Sequence, residues 1–271
     1  MNYRLVNAED KDIDILTSMK LVTMIDEEMD NKLSFTEKNK LKKNIYKNIE
    51  LTCESYKLIY VGKNIIGAYL VVDYKDGKMI DQIFLFEEYR GKGVGSSIIK
   101  GIIEEYDNLY IWVYKNNKDA LRLFERLGFF AISKGRTMIL RYNKAYIYLK
   151  EHLEGIKLGY CDKDGNLYGL YSGDFKDNFY LQNPKQIVES GVGTCFDQVE
   201  YERYLMDQIN EDCRTYYIIY PDDKMDIGHT FLIYKDKVNY YRFENAWLKY
   251  KGIHIYKNKE ALFDDILNKF V

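Results

Sequence analysis

Apolar residues in the first half of the chain follow helical spacing and then strand spacing. After a short strand at residues 3–6, apolar positions three or four residues apart predict two helices, residues 13–25 and 41–51, with Ser34 or Thr36 as a possible cap of the second. Apolar runs separated by polar turns then predict strands at residues 57–61, 65–73 and 79–86. This pattern indicates a mixed sheet flanked by helices.

The pattern continues with a helix after residue 93, a strand at 109–113, a helix after Asn117 and a strand at 137–142. No linker rich in glycine or proline follows, and residues 144–153 predict a short helix. We place a domain boundary between about residues 142 and 150. The chain is therefore predicted to form two domains, residues 1–143 and 144–271.

The second half combines one clear helix with a hairpin. Thr194 is a candidate cap for a helix whose apolar positions run to Ile209. Two apolar runs, residues 228–234 and 238–244, are joined by a polar turn and predict paired strands. We therefore expect an α+β domain that does not repeat the first half.

Composition narrows the class of protein. The chain has 271 residues, of which 46% are hydrophobic and 30% charged, with a net charge of −2. This balance disfavours a broad nucleic-acid surface. No apolar run is long enough for a membrane span, and the first residues do not resemble a signal peptide. Four separated cysteines disfavour a metal site or disulfide framework. We expect a cytoplasmic protein with no nucleic-acid, membrane or metal partner; the oligomeric state stays open.

Residues 84–99 carry the strongest chemical signal in the chain. An apolar strand enters this stretch, a helix leaves it, and three glycines alternate with other residues between them. Glycines permit sharp turns and close approach to the backbone, and a helix start offers unpaired N–H groups to an anion. The spacing is neither that of a Walker loop nor that of a dinucleotide fingerprint. The stretch indicates a phosphate cradle, and the alternative is a tight turn without a ligand.

Two motifs resemble those of the GNAT acetyltransferases. Residues 90–95, Arg-Gly-Lys-Gly-Val-Gly, are similar to the family's Arg/Gln-x-x-Gly-x-Gly/Ala signature, and residues 117–129 are similar to its Asn-x-x-Ala-x-x-Leu-Tyr-x-x-x-Gly-Phe segment. The resemblance implies a GNAT-like mixed sheet over residues 1–143 and acetyl-CoA as cosubstrate. It also implies a small-molecule or peptide amine as acceptor. The residues that it assigns to the cofactor are Ile83, Phe84, Leu85, Arg90, Gly91, Lys92, Gly93, Val94, Gly95, Ser96 and Asn117.

Acetyl transfer requires a neutral amine, so a group must accept its proton. Asp81 shares a strand face with Ile83 and resembles the position that many relatives use as base; the alternative is a solvated acid. Asn117 is equally suited to cap the next helix. The chain departs from the family at Phe124, where many relatives have a tyrosine that protonates the thiolate. Tyr114 or Tyr110 are candidate substitutes.

The second half carries a candidate nucleophile. Cys195 falls in the first turn of the helix capped by Thr194, where the helix dipole favours a thiolate. His229 opens the first strand of the hairpin and Glu244 ends the second, so the two are expected to lie together, with Asn245 as the alternative to Glu244. This order resembles transglutaminase-like and papain-like cysteine domains and, more distantly, arylamine N-acetyltransferases. Separate structural roles for a buried cysteine and a core histidine are the alternative.

The interpretation that joins these features is an N-acetyltransferase fused to a transglutaminase-like domain. In that domain Cys195, His229 and Glu244 perform acyl transfer or amide hydrolysis. The alternative is an acyl-CoA-binding sensor whose second half is a recognition module without catalysis. A third possibility is that only the cysteine domain is active. The sequence does not indicate which amine is the acceptor.

Overall fold

The computed structural model describes residues 2–28, 34–133, 135–169, 178–220 and 227–270. The chain divides into two compact units, Met1–Asn143 and Lys144–Val271. Among the described residues, no helix combines the length and apolar character needed to cross a membrane.

The first unit is built on one sheet. Its strands are β1 (Arg4–Asn7), β2 (Tyr56–Val61), β3 (Asn64–Tyr74), β4 (Gly77–Leu85), β5 (Asn108–Tyr114), β6 (Phe130–Ala131) and β7 (Thr137–Asn143). Its helices are α1 (Ile13–Glu28), α2 (Phe35–Thr52), α3 (Val94–Glu105) and α4 (Lys118–Arg126), with 3-10 turns at Asp10–Asp12, Cys53–Ser55 and Glu87–Tyr89. The strand order is β1-β2-β3-β4-β5-β7-β6.

The sheet is mixed because one connection crosses over. Strands β1 to β4 pair antiparallel in sequence order, and β5, β7 and β6 also pair antiparallel. Between these two groups, β4 and β5 run parallel, a pairing that requires a crossover connection, and α3 lies in it. The predicted mixed sheet flanked by helices is present.

Helices α1 and α2 cover one face of this sheet through apolar side chains. Leu16 and Met19 of α1 and Ile45 and Ile49 of α2 are buried together with residues of β2, β3 and β4. Ser34 caps α2 in a capping box with Glu37, so Ser34 rather than Thr36 begins this helix.

Within residues 144–169, 178–220 and 227–270, the second unit shows a four-stranded antiparallel sheet and four helices. The main strands, in sheet order, are β12 (Cys213–Tyr220), β13 (Ile227–Lys235), β14 (Tyr240–Glu244) and β15 (Gly252–Tyr256). Two-residue strands are β8 (Lys157–Leu158), β9 (Tyr160–Cys161), β10 (Leu167–Tyr168) and β11 (Val192–Gly193). The helices are α5 (Lys144–Leu153), α6 (Pro184–Ser190), α7 (Cys195–Gln208) and α8 (Lys259–Phe270), with a 3-10 turn at Leu248–Tyr250.

The two faces of the four-stranded sheet pack against different helices. Leu232 and Phe243 belong to the core shared with α5 and α7, whereas Phe231 and Ile233 pack with Leu262 of α8. This is the alternation of a strand that is buried on both faces. Strands β12 and β15 and helices α6 and α8 were not predicted; β12 leaves Tyr217 and Ile219 half-exposed, which weakens its apolar signal.

A buried ion pair ties the turn before β4 to β7. Arg141 Nη2 lies 2.6 Å from Asp76 Oδ2, and both side chains are 1% exposed. Arg141 Nη2 also donates to Asn108 Oδ1 at 2.9 Å, and the Tyr110 hydroxyl donates to Asp76 Oδ1. These contacts join the turn, β5 and β7 at one end of the sheet.

Asp76→Asn is expected to lower the free energy of unfolding of the first unit by about 3–5 kcal/mol, because Arg141 then stays buried without its counter-charge. Urea unfolding followed by fluorescence measures this loss. The control is Asp73→Asn, because Asp73 pairs with Lys78 at 2.7 Å but is 91% exposed. Similar losses in the two variants would contradict a dominant role for the buried pair.

Candidate active sites

Strands β4 and β5 pair over a short distance and then part. Their parallel register runs from Lys78 opposite Leu109 to Ile80 opposite Ile111 and ends there, although β4 continues to Leu85. Residues 81–85 of β4 therefore have no β5 partner along the edge that faces β5. A strand edge of this kind can pair with an extended amide-containing ligand. Ile83, Phe84 and Leu85 lie in this segment.

The glycine-rich loop follows directly and ends at the start of α3. Gly91 and Gly93 adopt φ angles of +69° and +83°, which strongly favour glycine, and a Cβ at either position would meet no atom within 4 Å. Arg90 Nε donates a 2.8 Å hydrogen bond to the carbonyl of Leu85, which folds the loop back onto the end of β4. The loop is thus fixed while its glycines leave open space.

The start of α3 presents backbone donors to that space. Gly93 is the N-terminal cap, and its carbonyl accepts from the amide of Ser97 at 3.0 Å. The amides of Val94, Gly95 and Ser96 precede this first helical hydrogen bond, so they are available to an anion together with the positive end of the helix dipole. The structure thus brings the predicted cradle residues, Arg90 to Ser96, into one loop and helix start.

Asp81 is the extra residue of a β-bulge. The register of β3 and β4 pairs Leu70 with Gln82 and Val71 with Ile80, which leaves Asp81 without an opposite residue. Its carboxylate lies 3.6 Å from the ammonium group of Lys20 on α1, and the two side chains are 41% and 28% exposed. Asp81 is therefore a partly exposed carboxylate that already faces a cation.

Three other residues of the first unit have clear positions. Asn117 caps α4, and its Oδ1 accepts from the amide of Ala120 at 3.1 Å. Phe124 is buried with its ring edge-on to Phe129 at 5.1 Å. Tyr110 is an unsuitable substitute proton donor, because its hydroxyl is bound to Asp76 at the end of the sheet where β4 and β5 are still paired.

Cys195 is the first residue of α7. Thr194 caps this helix in a capping box with Asp197, whose carboxylate also accepts the amide of Gln182 at 2.8 Å. A Cβ at Gly193 would lie 2.8 Å from the side chain of Ile187, so glycine is required for this close approach. These contacts hold the thiol at the helix start, where the dipole favours its charged form.

His229 and Glu244 lie where the β13–β14 ladder ends. The ladder runs from Lys235 opposite Tyr240 to Leu232 opposite Phe243. Just beyond it, His229 Nε2 and Glu244 Oε2 are 2.7 Å apart, and both residues are buried. Because Nε2 is engaged with Glu244, Nδ1 is the ring nitrogen left to interact with Cys195, and Cys195 and His229 shift each other's pKa. The structure therefore brings all three predicted residues together.

The electrostatics favour an ion pair between Cys195 and His229. Burial alone would raise the pKa of the Cys195 thiol, but the neighbouring His229 and Thr230 outweigh it, and the pKa lies below its ordinary value. Burial alone would lower the pKa of His229, but hydrogen bonds to Cys195 and Glu244 raise it to about 9. Both shifts favour the thiolate form of Cys195 and the imidazolium form of His229.

Two partners of the cysteine cluster, which consists of Cys195, His229 and Glu244, were not predicted from the sequence. Arg242 Nη1 donates to Glu244 Oε2 at 2.9 Å, and this guanidinium is 1% exposed. Arg242 precedes Glu244 by two residues, so strand alternation was a usable signal. Asn245, the alternative to Glu244, instead donates to Gln198 Oε1 at 2.7 Å. Gln198 was also missed.

Trp247 forms one wall of the cysteine cluster. Its ring is edge-on to His229 at 5.4 Å, and its amide donates to Glu244 Oε1 at 2.8 Å. Tyr250 packs edge-on against Trp247 at 4.5 Å. In the part of the chain that the structure describes, no group of His, Cys, Asp and Glu side chains is arranged to hold a metal ion.

Comparison with known proteins identifies the class of the first unit. Residues 22–129 match the model of the acetyltransferase (GNAT) family. The first unit therefore contains a GNAT acetyltransferase domain, and the cosubstrate of this family is acetyl-CoA. The motif resemblance in the first half is confirmed. The matched family model does not reach the second unit, whose transglutaminase-like character stays a prediction.

Curated relatives give a more particular likeness. The chain is 36% identical over 64 residues to a spermine/spermidine N(1)-acetyltransferase of Bacillus subtilis strain 168, and 34% identical over 64 residues to a probable spermine N(1)-acetyltransferase of Bacillus subtilis subsp. natto. Each alignment covers 21% of this chain and 42% of the relative. The chain thus spans about two fifths of the length of these curated relatives.

Solved structures are also similar. The PaiA N-acetyltransferase of Thermoplasma acidophilum, solved with coenzyme A, is 13% identical, with a TM-score of 0.44 over 53% of this chain and 99% of that protein. YncA of Salmonella typhimurium, a putative acetyltransferase solved with acetyl-CoA, is 14% identical, with a TM-score of 0.40 over 53% of this chain and 95% of that protein.

Iodoacetamide is expected to alkylate Cys195 at pH 6–7 in preference to the other three cysteines, because burial raises the pKa of Cys53, Cys161 and Cys213. His229→Ala removes the hydrogen bond that lowers the pKa of Cys195, so alkylation at pH 6 should slow by about tenfold or more. Peptide mass spectrometry across pH 5–9 measures both effects.

The control is His152→Ala, because His152 is exposed and bonds only to the carbonyl of Tyr148 among the described contacts. An alkylation profile of Cys195 that matches an ordinary thiol, or that does not respond to His229→Ala, would rule out the ion pair.

Proposed function

We propose that the first unit transfers the acetyl group of acetyl-CoA directly to the amine of a small molecule. The observation that carries this proposal is the parting of β4 and β5 beyond Ile80 and Ile111, with the glycine-rich start of α3 directly after β4. The edge of residues 83–85 suits the amides of the pantetheine arm, and the amides of residues 94–96 suit the pyrophosphate. The open space at Gly91 and Gly93 supports this fit.

When bound, acetyl-CoA supplies a thioester carbonyl to the attacking amine. Asp81 is the proposed base, because its bulge directs a partly exposed carboxylate away from the regular ladder. It accepts the proton of the incoming ammonium, directly or through water, and so frees the lone pair for attack. Phe124 has no proton to give, so water or another group protonates the departing thiolate.

The acceptor that we favour is a cationic amine of the polyamine class. Asp81 already holds the ammonium of Lys20 at 3.6 Å, so its carboxylate accommodates a positive amine. The curated relatives are named for spermine and spermidine acetylation, which supports the same class. On this interpretation Lys20 occupies the position that the substrate ammonium takes.

The structure also supports a second candidate function, a cysteine acyl-transfer centre in the second unit. The observation that favours it is the chain of contacts from Cys195 to His229 and from His229 Nε2 to Glu244 Oε2 at 2.7 Å. The Cys195 thiolate attacks an amide or ester carbonyl and forms a thioester. His229 gives its proton to the leaving amine or alkoxide, and water or an amine then attacks the thioester. The alkylation profile of Cys195 tests the nucleophile.

Gly93→Val is expected to raise the KM for acetyl-CoA by about tenfold or more, because a β-branched residue is strained at a φ of +83° and its side chain enters the cradle. CoA release with spermidine as acceptor measures this. Gly101→Ala, in the same helix with no atom within 4 Å of its added Cβ, is the matched control.

Cys195→Ala should leave CoA release unchanged, because direct transfer needs no acyl-enzyme. Loss of release in Cys195→Ala would show that the acetyl group passes through the cysteine. Binding of acetyl-CoA without release for any amine would instead favour the sensor.

Asp81→Asn is expected to lower kcat for spermidine by about 10²-fold or more with little change in the KM for acetyl-CoA, because it removes the proposed base. Lys20→Met should lower the KM for spermidine, because the substrate ammonium no longer competes with Lys20 for Asp81. Steady-state kinetics at pH 7–9 measures both. An unchanged kcat in Asp81→Asn would show that Asp81 is not the base and that another group accepts the proton.

A further inference from the structure

A second buried carboxyl group lies on the helix that begins at Cys195. Glu202 follows Cys195 by seven residues in α7, which places both on one face of the helix, together with Gln198. Glu202 is 2% exposed, and among the described residues its Oε2 atom has no hydrogen-bond partner. The proposed catalytic steps do not use this buried acid.

Glu202 and Glu244 have opposite environments. The Glu244 carboxylate accepts from His229, from Arg242 and from the amide of Trp247, which together stabilise its negative charge. In the part of the chain that the structure describes, no donor reaches Glu202 Oε2, and an uncompensated buried charge is very costly. Burial raises the pKa of Glu202 well above its ordinary value, and the charges of Glu244 and Cys195 raise it further. Glu202 therefore favours its protonated form.

The charges around Glu202 already balance without it. The thiolate of Cys195 and the carboxylate of Glu244 carry two negative charges, and the imidazolium of His229 and the guanidinium of Arg242 carry two positive ones. On the β12 side, Cys213 is a neutral thiol whose pKa is raised to about 11, mainly by burial. The facing side of α5 contributes the apolar Leu149 and Leu153, and Arg203 pairs with exposed acids outside the cluster.

We propose that Glu202 is a positioning residue of the cysteine centre, a buried acid whose retained proton keeps the Cys195–His229–Glu244 cluster electrically balanced. This inference rests on the proposed cysteine centre. Because electrostatic coupling is reciprocal, the Cys195 thiolate opposes ionisation of Glu202 to the same extent that an ionised Glu202 would oppose the thiolate.

The coupling predicts a stability effect with a definite sign. An acid whose folded pKa is raised binds its proton more tightly in the folded state, so the wild type loses stability as pH rises above the ordinary pKa of glutamate. Glu202→Gln keeps the size of the side chain and its neutral charge, and glutamine has no proton to lose, so this variant avoids the loss of stability at higher pH. The melting temperature of Glu202→Gln minus that of the wild type should therefore be larger at pH 8 than at pH 5, by about 2–4 °C or more.

The test is a double-mutant cycle in the full-length protein, with melting temperatures measured at pH 5 and pH 8. The gain from Glu202→Gln is expected to fall by about half or more in a Cys195→Ser background, because the hydroxyl stays neutral and no longer repels Glu202. Glu200→Gln, a change on the exposed side of the same helix, is the matched control and should show no pH-dependent gain.

The outcomes separate the two proposals. An equal gain from Glu202→Gln in both backgrounds would mean that Glu202 is an isolated buried acid, and the inference would fall while the cysteine centre stands. No gain in either background would mean that Glu202 does not hold a proton, which also overturns the inference. An ordinary alkylation profile of wild-type Cys195 would instead remove the cysteine centre itself.

Discussion

The short parallel pairing of β4 and β5 is the constraint on which the first unit depends. The two strands are joined over three residue pairs, Lys78–Ile80 with Leu109–Ile111, and then part. At the closed end, Asp76 and Arg141 hold the preceding turn against β7. At the open end, the free edge of β4 leads into the glycine-rich loop and α3. The stabilising ion pair and the unpaired edge of β4 thus lie at opposite ends of the same strand pair.

In the second unit, several ionisable side chains are buried close together. Three donors contact the Glu244 carboxylate and stabilise its negative charge, and this carboxylate in turn raises the pKa of His229. The start of α7 adds the favourable end of a helix dipole to the Cys195 thiolate. Glu202 Oε2 has no donor among the described residues, and burial favours the neutral form of this acid.

Local sequence signals determined most of the elements and the main candidate residues. The cradle was predictable because positive φ angles at Gly91 and Gly93 demand glycine, and the strand before it and helix after it have clear periodicity. The position of Cys195 at a helix start was predictable because Thr194 is a favourable helix cap. The assignment of the first unit to the GNAT family followed from two such local motifs in order.

Tertiary structure decided what depends on contacts between distant segments. The bulge at Asp81 arises from the register of β3 against β4, and Lys20 reaches Asp81 from a helix far along the chain. The choice of Glu244 over Asn245 was set by which side chain meets His229 once β13 and β14 pair. Glu202 looked like any helical acid, because a sequence window does not contain the strands that bury it. Strand register and burial are long-range properties, and only the folded chain fixes them.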